Sequence, residues 1–277
     1  MNHFEWNWTQ EGLKIFAQGW NPPQTKGVVC IVHGFNEHSS RYEDAALRLC
    51  TAGYAVLTYD QFGHGKTEGK RGHSPGGYEA MLDSIKIILD EAETRFPGVK
   101  KFLWGHSMGG GEVLNYLIRR QPNIAGAVAT GPLLKLGFEP PDIKVLLARI
   151  MVHIYPGFTE KAELDSDGIS RDKDEVRKYD ADPYNHGKIT AGMFFGFFNA
   201  GKYALAHAAE IKIPLLLMHG TADRLTSFEG TKEFAEKAPK NLVTLKLWEG
   251  FYHELHNEPE PDRTQAMAYI TNWLNGH

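Results

Sequence analysis

Phe102-Leu103-Trp104-Gly105-His106-Ser107-Met108-Gly109-Gly110-Gly111 runs from an apolar segment through a glycine-flanked serine into a helical pattern over residues 112–120. Gly105-His106-Ser107-Met108-Gly109 is a G-x-S-x-G motif. In strand–turn–helix context this motif forms a nucleophile elbow. The turn is so tight that the serine's neighbours must be small, and Gly105 and Gly109 meet that need. The strained turn lifts the hydroxyl clear of the sheet. The helix that follows directs its N-terminal N–H groups and dipole at developing negative charge. A glycine-rich βα turn with a capping serine is the bland alternative, and the strand before and helix after argue against it.

Outward from the elbow, residues 28–32, 55–59, 101–104, 125–130 and 214–218 are short apolar runs, each followed by a loop and a helix-like stretch. Strands buried on both faces of a parallel sheet read this way, and their alternation with helices implies right-handed βαβ units. Residues 3–20 instead alternate apolar and polar and turn at Gln10-Glu11-Gly12, so an antiparallel pair is expected. A last strand over 242–248 leads to a helix over 261–274. Residues 133–210 break the rhythm and contain no clear parallel strand. The expectation is an α/β fold, a mostly parallel central sheet flanked by helices. Residues 1–132 and 211–277 form its core, and 133–210 an inserted, mainly helical cap.

Composition agrees with one large domain. The chain has 277 residues, of which 42% are hydrophobic, enough for a full core. A net charge of −4 exerts no pull toward nucleic acid. The two cysteines, Cys30 and Cys50, are too few for a disulfide framework and read as packing residues. No basic opening segment leads into an apolar stretch, and no apolar run reaches the ~18 residues that span a bilayer. A cytoplasmic protein, peripheral at membranes, is the expectation; the sequence sets no oligomeric state.

A serine needs a base to become a nucleophile at neutral pH. With 13 histidines in the chain, position must choose the base. In this fold acid and base follow the serine in the order Ser, Asp or Glu, His, on loops after later strands. Asp223 is the first acid after the strand at 214–218, and His253 the first histidine after the strand at 242–248. His256 is the rival base. The tetrahedral intermediate needs two N–H donors: Met108, after the nucleophile, and Phe35, on the loop after residues 28–32.

Three segments then resemble the monoacylglycerol lipase family: His33-Gly34-Phe35-Asn36-Glu37-His38-Ser39-Ser40-Arg41-Tyr42, Tyr59-Asp60-Gln61-Phe62-Gly63-His64-Gly65 and the elbow itself. So do Ser170-Arg171-Asp172-Lys173-Asp174-Glu175-Val176 with Tyr179 and Asp182-Pro183, and the loops that carry Asp223 and His253. The resemblance covers residues 10–275. It implies a substrate in which one fatty acid is esterified to glycerol, with Ser107, Asp223 and His253 as triad and Phe35 and Met108 as oxyanion hole. It also implies Glu37, Arg41, Tyr179 and His256 near the glycerol side; a structural ion pair below the site is the equal alternative for Glu37 and Arg41. Where some relatives carry a reactive cysteine after Asp-Pro, this chain has Tyr184-Asn185-His186, so thiol-directed inhibition there is not expected.

No metal or cofactor is expected. Asp60 stands where a Walker A loop before Gly65-Lys66-Thr67 needs glycine. His253-Glu254-Leu255-His256 has the wrong spacing for a zinc helix, and Asp165-Ser166-Asp167-Gly168 lacks the other ligands of a calcium loop. The rival activities are a lysophospholipase or broad esterase, and a non-catalytic ligand-binding protein on the same fold. Hydrolases with a nucleophilic aspartate are disfavoured because the elbow carries serine. Residues 143–154 are apolar almost all round, interrupted by Lys144, Arg149 and His153. A helix there is expected to rim the pocket and dock reversibly on membranes, with burial of both faces as the alternative.

Overall fold

Strand alternation sorts the core onto two sides of one sheet. In β3 (Gly27–Val32), Val28, Cys30 and Val32 join one apolar cluster and Val29 and Ile31 the other, because successive side chains point to opposite faces. The computed structural model describes residues 1–138, 154–155, 157–162 and 164–277. The remaining strands of the main sheet are β1 (Asn2–Gln10), β2 (Leu13–Asn21), β4 (Tyr54–Tyr59), β5 (Lys100–His106), β6 (Gly126–Thr130), β9 (Leu215–Gly220) and β10 (Val243–Trp248). Their order is β1-β2-β4-β3-β5-β6-β9-β10. β1 and β2 form the expected antiparallel hairpin, β2 meets β4 antiparallel, and every pair from β4 to β10 is parallel.

Helices cover both faces. α2 (Gly77–Arg95) and α3 (Ser107–Arg120) pack into the cluster that holds Val28, while α1 (Glu43–Thr51) and α7 (Asp262–Asn275) pack into the one that holds Val29. α3 begins at Ser107 rather than at residue 112. Gly109, Gly110 and Gly111 are poor helix formers and hide the first turn from a propensity reading. They are needed there by space: a Cβ on Gly109 would stand 2.2 Å from the Val32 carbonyl oxygen.

Between β6 and β9 the described residues hold a two-stranded ribbon, β7 (Thr159–Lys161) with β8 (Lys188–Thr190), and helices α4 (Lys173–Ala181) and α5 (Ala191–Ala206). Asp172 caps α4 by accepting from Asp174 N, and Thr190 caps α5 by accepting from Met193 N. α6 (Phe228–Lys237) then crosses between β9 and β10. The helix expected over 143–154 lies outside the described residues, apart from Ile154. Among the described residues no helix is long and apolar enough to cross a membrane.

Candidate active site

Parallel strands end on one edge, so the loops after β3, β5, β9 and β10 converge there. Those loops carry Phe35, Ser107, Asp223 and His253. Ser107 opens α3 with φ +54, in the left-handed region where a side chain is strained. The crowding that permits the turn is visible in its glycines. A Cβ on Gly105 would stand 2.3 Å from the Gly109 carbonyl oxygen, and one on Gly34 would stand 3.1 Å from Ser107 Cβ.

The side chains of His253 and Asp223 are buried together, and His253 Nδ1 donates to Asp223 Oδ2 at 2.6 Å. That bond leaves Nε2 as the nitrogen without a partner among the described residues. Burial pulls the His253 ring toward neutrality, but the adjacent Asp223 carboxylate outweighs it and the pKa ends above the ordinary value. Burial likewise opposes ionisation of Asp223, yet the imidazoles of His253 and His219 hold its carboxyl well below the usual range. Its Oδ1 accepts from the backbone of Leu225 (2.8 Å) and Thr226 (3.0 Å). Among the described residues Ser107 Oγ and His253 make no direct hydrogen bond; the two side chains face one cavity. Such contacts often close only around substrate.

The two N–H groups expected at an oxyanion site belong to Met108 and Phe35. The Met108 amide lies in the first turn of α3, where helical N–H groups have no intrahelical acceptor. Phe35 sits in a clamped loop. His33 Nε2 accepts from Gln61 N at 2.9 Å, Gly34 N donates to Glu37 Oε1, and the Phe35 ring stands edge-on to His64 at 5.7 Å. The Met108 side chain is buried in the core, while Phe35 lines the cavity.

That cavity measures about 480 Å³. Gly34, Phe35, Glu37, His106, Ser107, Tyr179, His253 and Glu254 line it near the serine, and the rest is mostly apolar, including Leu133, Leu134, Phe194, Phe197 and Phe198. Of the four residues expected on the glycerol side, Glu37 and Tyr179 line it. Arg41 and His256 are not among the lining residues; they stand one layer behind. Arg41 Nη1 bonds Glu37 Oε2 at 2.8 Å, both its Nη atoms bond Glu254 at 2.7 and 2.8 Å, and its guanidinium covers the Tyr179 ring at 4.8 Å. Glu37 is therefore both a cavity wall and a member of an ion pair. His256 is stacked on Tyr42 at 4.9 Å, and burial holds its pKa down to about 4.

Sequence reading missed two groups. Glu254, next to the expected base, is the main partner of Arg41; nothing local signals a pairing across more than 200 residues. His219 Nε2 donates to Asp223 Oδ2 at 3.0 Å, and its Nδ1 accepts from Thr231 Oγ1 at 2.7 Å. Its place at the end of β9, just before the acid, was the available signal. Both cysteines are free and buried, and burial pushes the Cys50 thiol up to about 11.

Comparison with known proteins adds the lineage. Residues 23–260 match the family described as Serine aminopeptidase, S33. A monoacylglycerol lipase of Mycolicibacterium smegmatis is 33% identical over 96% of this chain and 94% of its own length. The crystal structure of Paleococcus ferrophilus monoacylglycerol lipase superposes with a TM-score of 0.87 at 35% identity, covering 95% of this chain and 99% of that one. An uncharacterized abhydrolase domain-containing protein of Dictyostelium discoideum is 34% identical over 96% of this chain, which spans only 28% of that longer protein. Sheet order, elbow and full-length similarity agree: the chain is a serine hydrolase of the α/β-hydrolase fold and belongs to the serine aminopeptidase S33 family, within its monoacylglycerol lipase group.

Proposed function

We propose that this protein hydrolyses monoacylglycerols to glycerol and a free fatty acid through an acyl-enzyme on Ser107. The observation that carries the reading is the cavity: a long apolar wall for one acyl chain meets a small polar group, Glu37 and Tyr179, beside Ser107 and His253. In the proposed cycle, Ser107 Oγ attacks the ester carbonyl while His253 Nε2 takes its proton. The oxyanion receives the Phe35 and Met108 N–H groups. The C–O bond then breaks, and glycerol leaves with the proton from His253. Water attacks the acyl-enzyme by the same route in reverse. Asp223 orients His253 and stabilises its cation.

In this reading Glu37 and Tyr179 meet the glycerol hydroxyls, and Arg41 and His256 act through their neighbours. Residues 133–210 serve as a cap that closes the acyl channel. Monoacylglycerols partition into bilayers, so reversible contact of the cap with a lipid surface belongs to the same proposal. The exposed side chains of Ile154, Tyr155 and Phe158 support it.

The test is a hydrolysis panel of monoacylglycerols of several lengths, diacylglycerol, triacylglycerol, lysophosphatidylcholine and p-nitrophenyl esters, run with fluorophosphonate labelling. Monoacylglycerol should be cleaved fastest, and labelling should vanish in Ser107→Ala. Lysophosphatidylcholine or triacylglycerol turned over faster than monoacylglycerol would overturn the substrate reading. Labelling that survives Ser107→Ala would overturn the nucleophile.

A further inference from the structure

Asn36 follows the proposed oxyanion donor Phe35, and its backbone stands at φ +58. Asparagine tolerates this region better than most residues, so a turn alone would explain its presence. The side chain does more than a turn requires. Asn36 is buried, and both ends of its amide are used by distant segments. Nδ2 donates to Tyr179 Oη at 2.6 Å, on α4, and Oδ1 accepts from the N–H of Gly187, the residue just before β8. These two contacts hold two walls of the acyl cavity. Tyr179 lines it directly, and β8 runs straight into α5, whose Phe194, Phe197 and Phe198 line it. Phe35 is thus held between two anchors: Glu37 grips Gly34 N on one side, and the amide of Asn36 grips the segments after β6 on the other.

We propose that Asn36 is a positioning residue that transmits the placement of α4 and β8 to the Phe35 N–H, so that the oxyanion donor is aligned only while the cavity walls are in place. The inference rests on the proposed role of Phe35 and deepens it. Asn36 touches no reacting atom; it acts through the peptide beside it. A donor displaced by a fraction of an ångström loses most in the transition state, where the oxyanion forms, and little in the ground state. The signature is therefore a fall in kcat with KM little changed, on a short soluble ester as well as on a long monoacylglycerol.

Two variants separate this from a structural role. Asn36→Gly keeps the backbone's freedom and removes the amide. Tyr179→Phe keeps the ring on Arg41 and removes the hydroxyl that receives Nδ2. On the short soluble ester, which makes no glycerol contact with Tyr179, Tyr179→Phe should lower kcat about tenfold and Asn36→Gly at least as much, since it also frees Gly187 N; the double variant should fall little below Asn36→Gly, because the Tyr179 link is already cut. The inhibition constant of an alkyl boronate, whose tetrahedral adduct occupies the oxyanion site, should weaken by the factor by which kcat/KM falls. Unchanged kcat with a raised KM for the long ester alone would overturn the proposal, and so would effects that multiply in the double variant. If Asn36→Gly does not fold, Tyr179→Phe with the boronate decides alone: unchanged boronate affinity overturns it. Failure of the active-site reading looks different, since the wild-type protein itself would then not react with a fluorophosphonate.

Discussion

His256→Phe sets the two histidines of one loop against each other. His256 is 1% exposed, stacked on Tyr42 and edge-on to Trp104 at 5.5 Å, and neither ring nitrogen has a hydrogen-bond partner among the described residues. Burial lowers its pKa from 6.5 to about 4, with Glu254 opposing the shift. Between these values the unfolded chain binds a proton that the folded chain does not, so this ring makes the protein less stable as pH falls. Each pH unit in that window is worth ~1.36 kcal/mol, so about 2 kcal/mol is lost through His256 between pH 8 and pH 5. Phenylalanine keeps the stack and cannot titrate. At pH 8 the variant should be about as stable as wild type: removing unpaired polar atoms gains on the order of 1 kcal/mol, and the larger ring costs a similar amount. By pH 5 the variant should be the more stable protein by about 2 kcal/mol. Urea unfolding followed by tryptophan fluorescence at pH 8, 7, 6 and 5 measures the gap. A gap that stays constant across this range would refute the buried, neutral His256. The variant should also keep kcat within about tenfold of wild type, because His253, not His256, is assigned as the base; a dead, folded variant would reverse that assignment.

Other expectations follow from the same geometry. Ser107→Ala and His253→Ala should each cut kcat by at least ~10⁴-fold with the fold intact by circular dichroism, as loss of a triad member does elsewhere. His253 must be neutral to accept a proton and its pKa is raised, so the acid limb of kcat/KM should lie above pH ~6.5 in wild type and move down in Asp223→Asn; a limb that does not move would disconnect Asp223 from the base. Gly109→Ala places a methyl 2.2 Å from the Val32 oxygen and 2.5 Å from the His33 oxygen, so thermal melts should show a loss of about 1–3 kcal/mol, and kcat should drop on the order of 100-fold as the elbow shifts. Arg41→Met leaves Glu37 and Glu254 buried without their cation and should cost about 3–5 kcal/mol in urea unfolding; a near-neutral result would show that the cluster admits water.

The sequence by itself determined whatever local pattern can encode. β3, β4, β5, β6 and β9 appear as apolar runs because strands buried on both faces need no alternation, and β1 alternates because it has one wet face; β2, read as alternating, is buried on both faces from Ile15 to Trp20, Gln18 included. The elbow is legible because its steric demands fall on adjacent residues, Gly105 and Gly109, and the order of Ser107, Asp223 and His253 follows from the order of strands. The start of α3 was not legible, since three glycines disguise a helical turn: Gly109 is demanded by the approach of Val32, and Gly110 and Gly111 stand against Pro132 and Leu133. Only the tertiary structure decided which charged and polar groups meet. It put Glu254 rather than Glu37 alone on Arg41, placed His219 and His253 on one oxygen of Asp223, and buried His256 behind the cavity. It also drew Asn36 against Tyr179 and Gly187. The reason is physical. Periodicity and turn chemistry act over a few residues, whereas ion pairing and desolvation depend on distance and burial in space, and these are set only when segments far apart in the chain pack together.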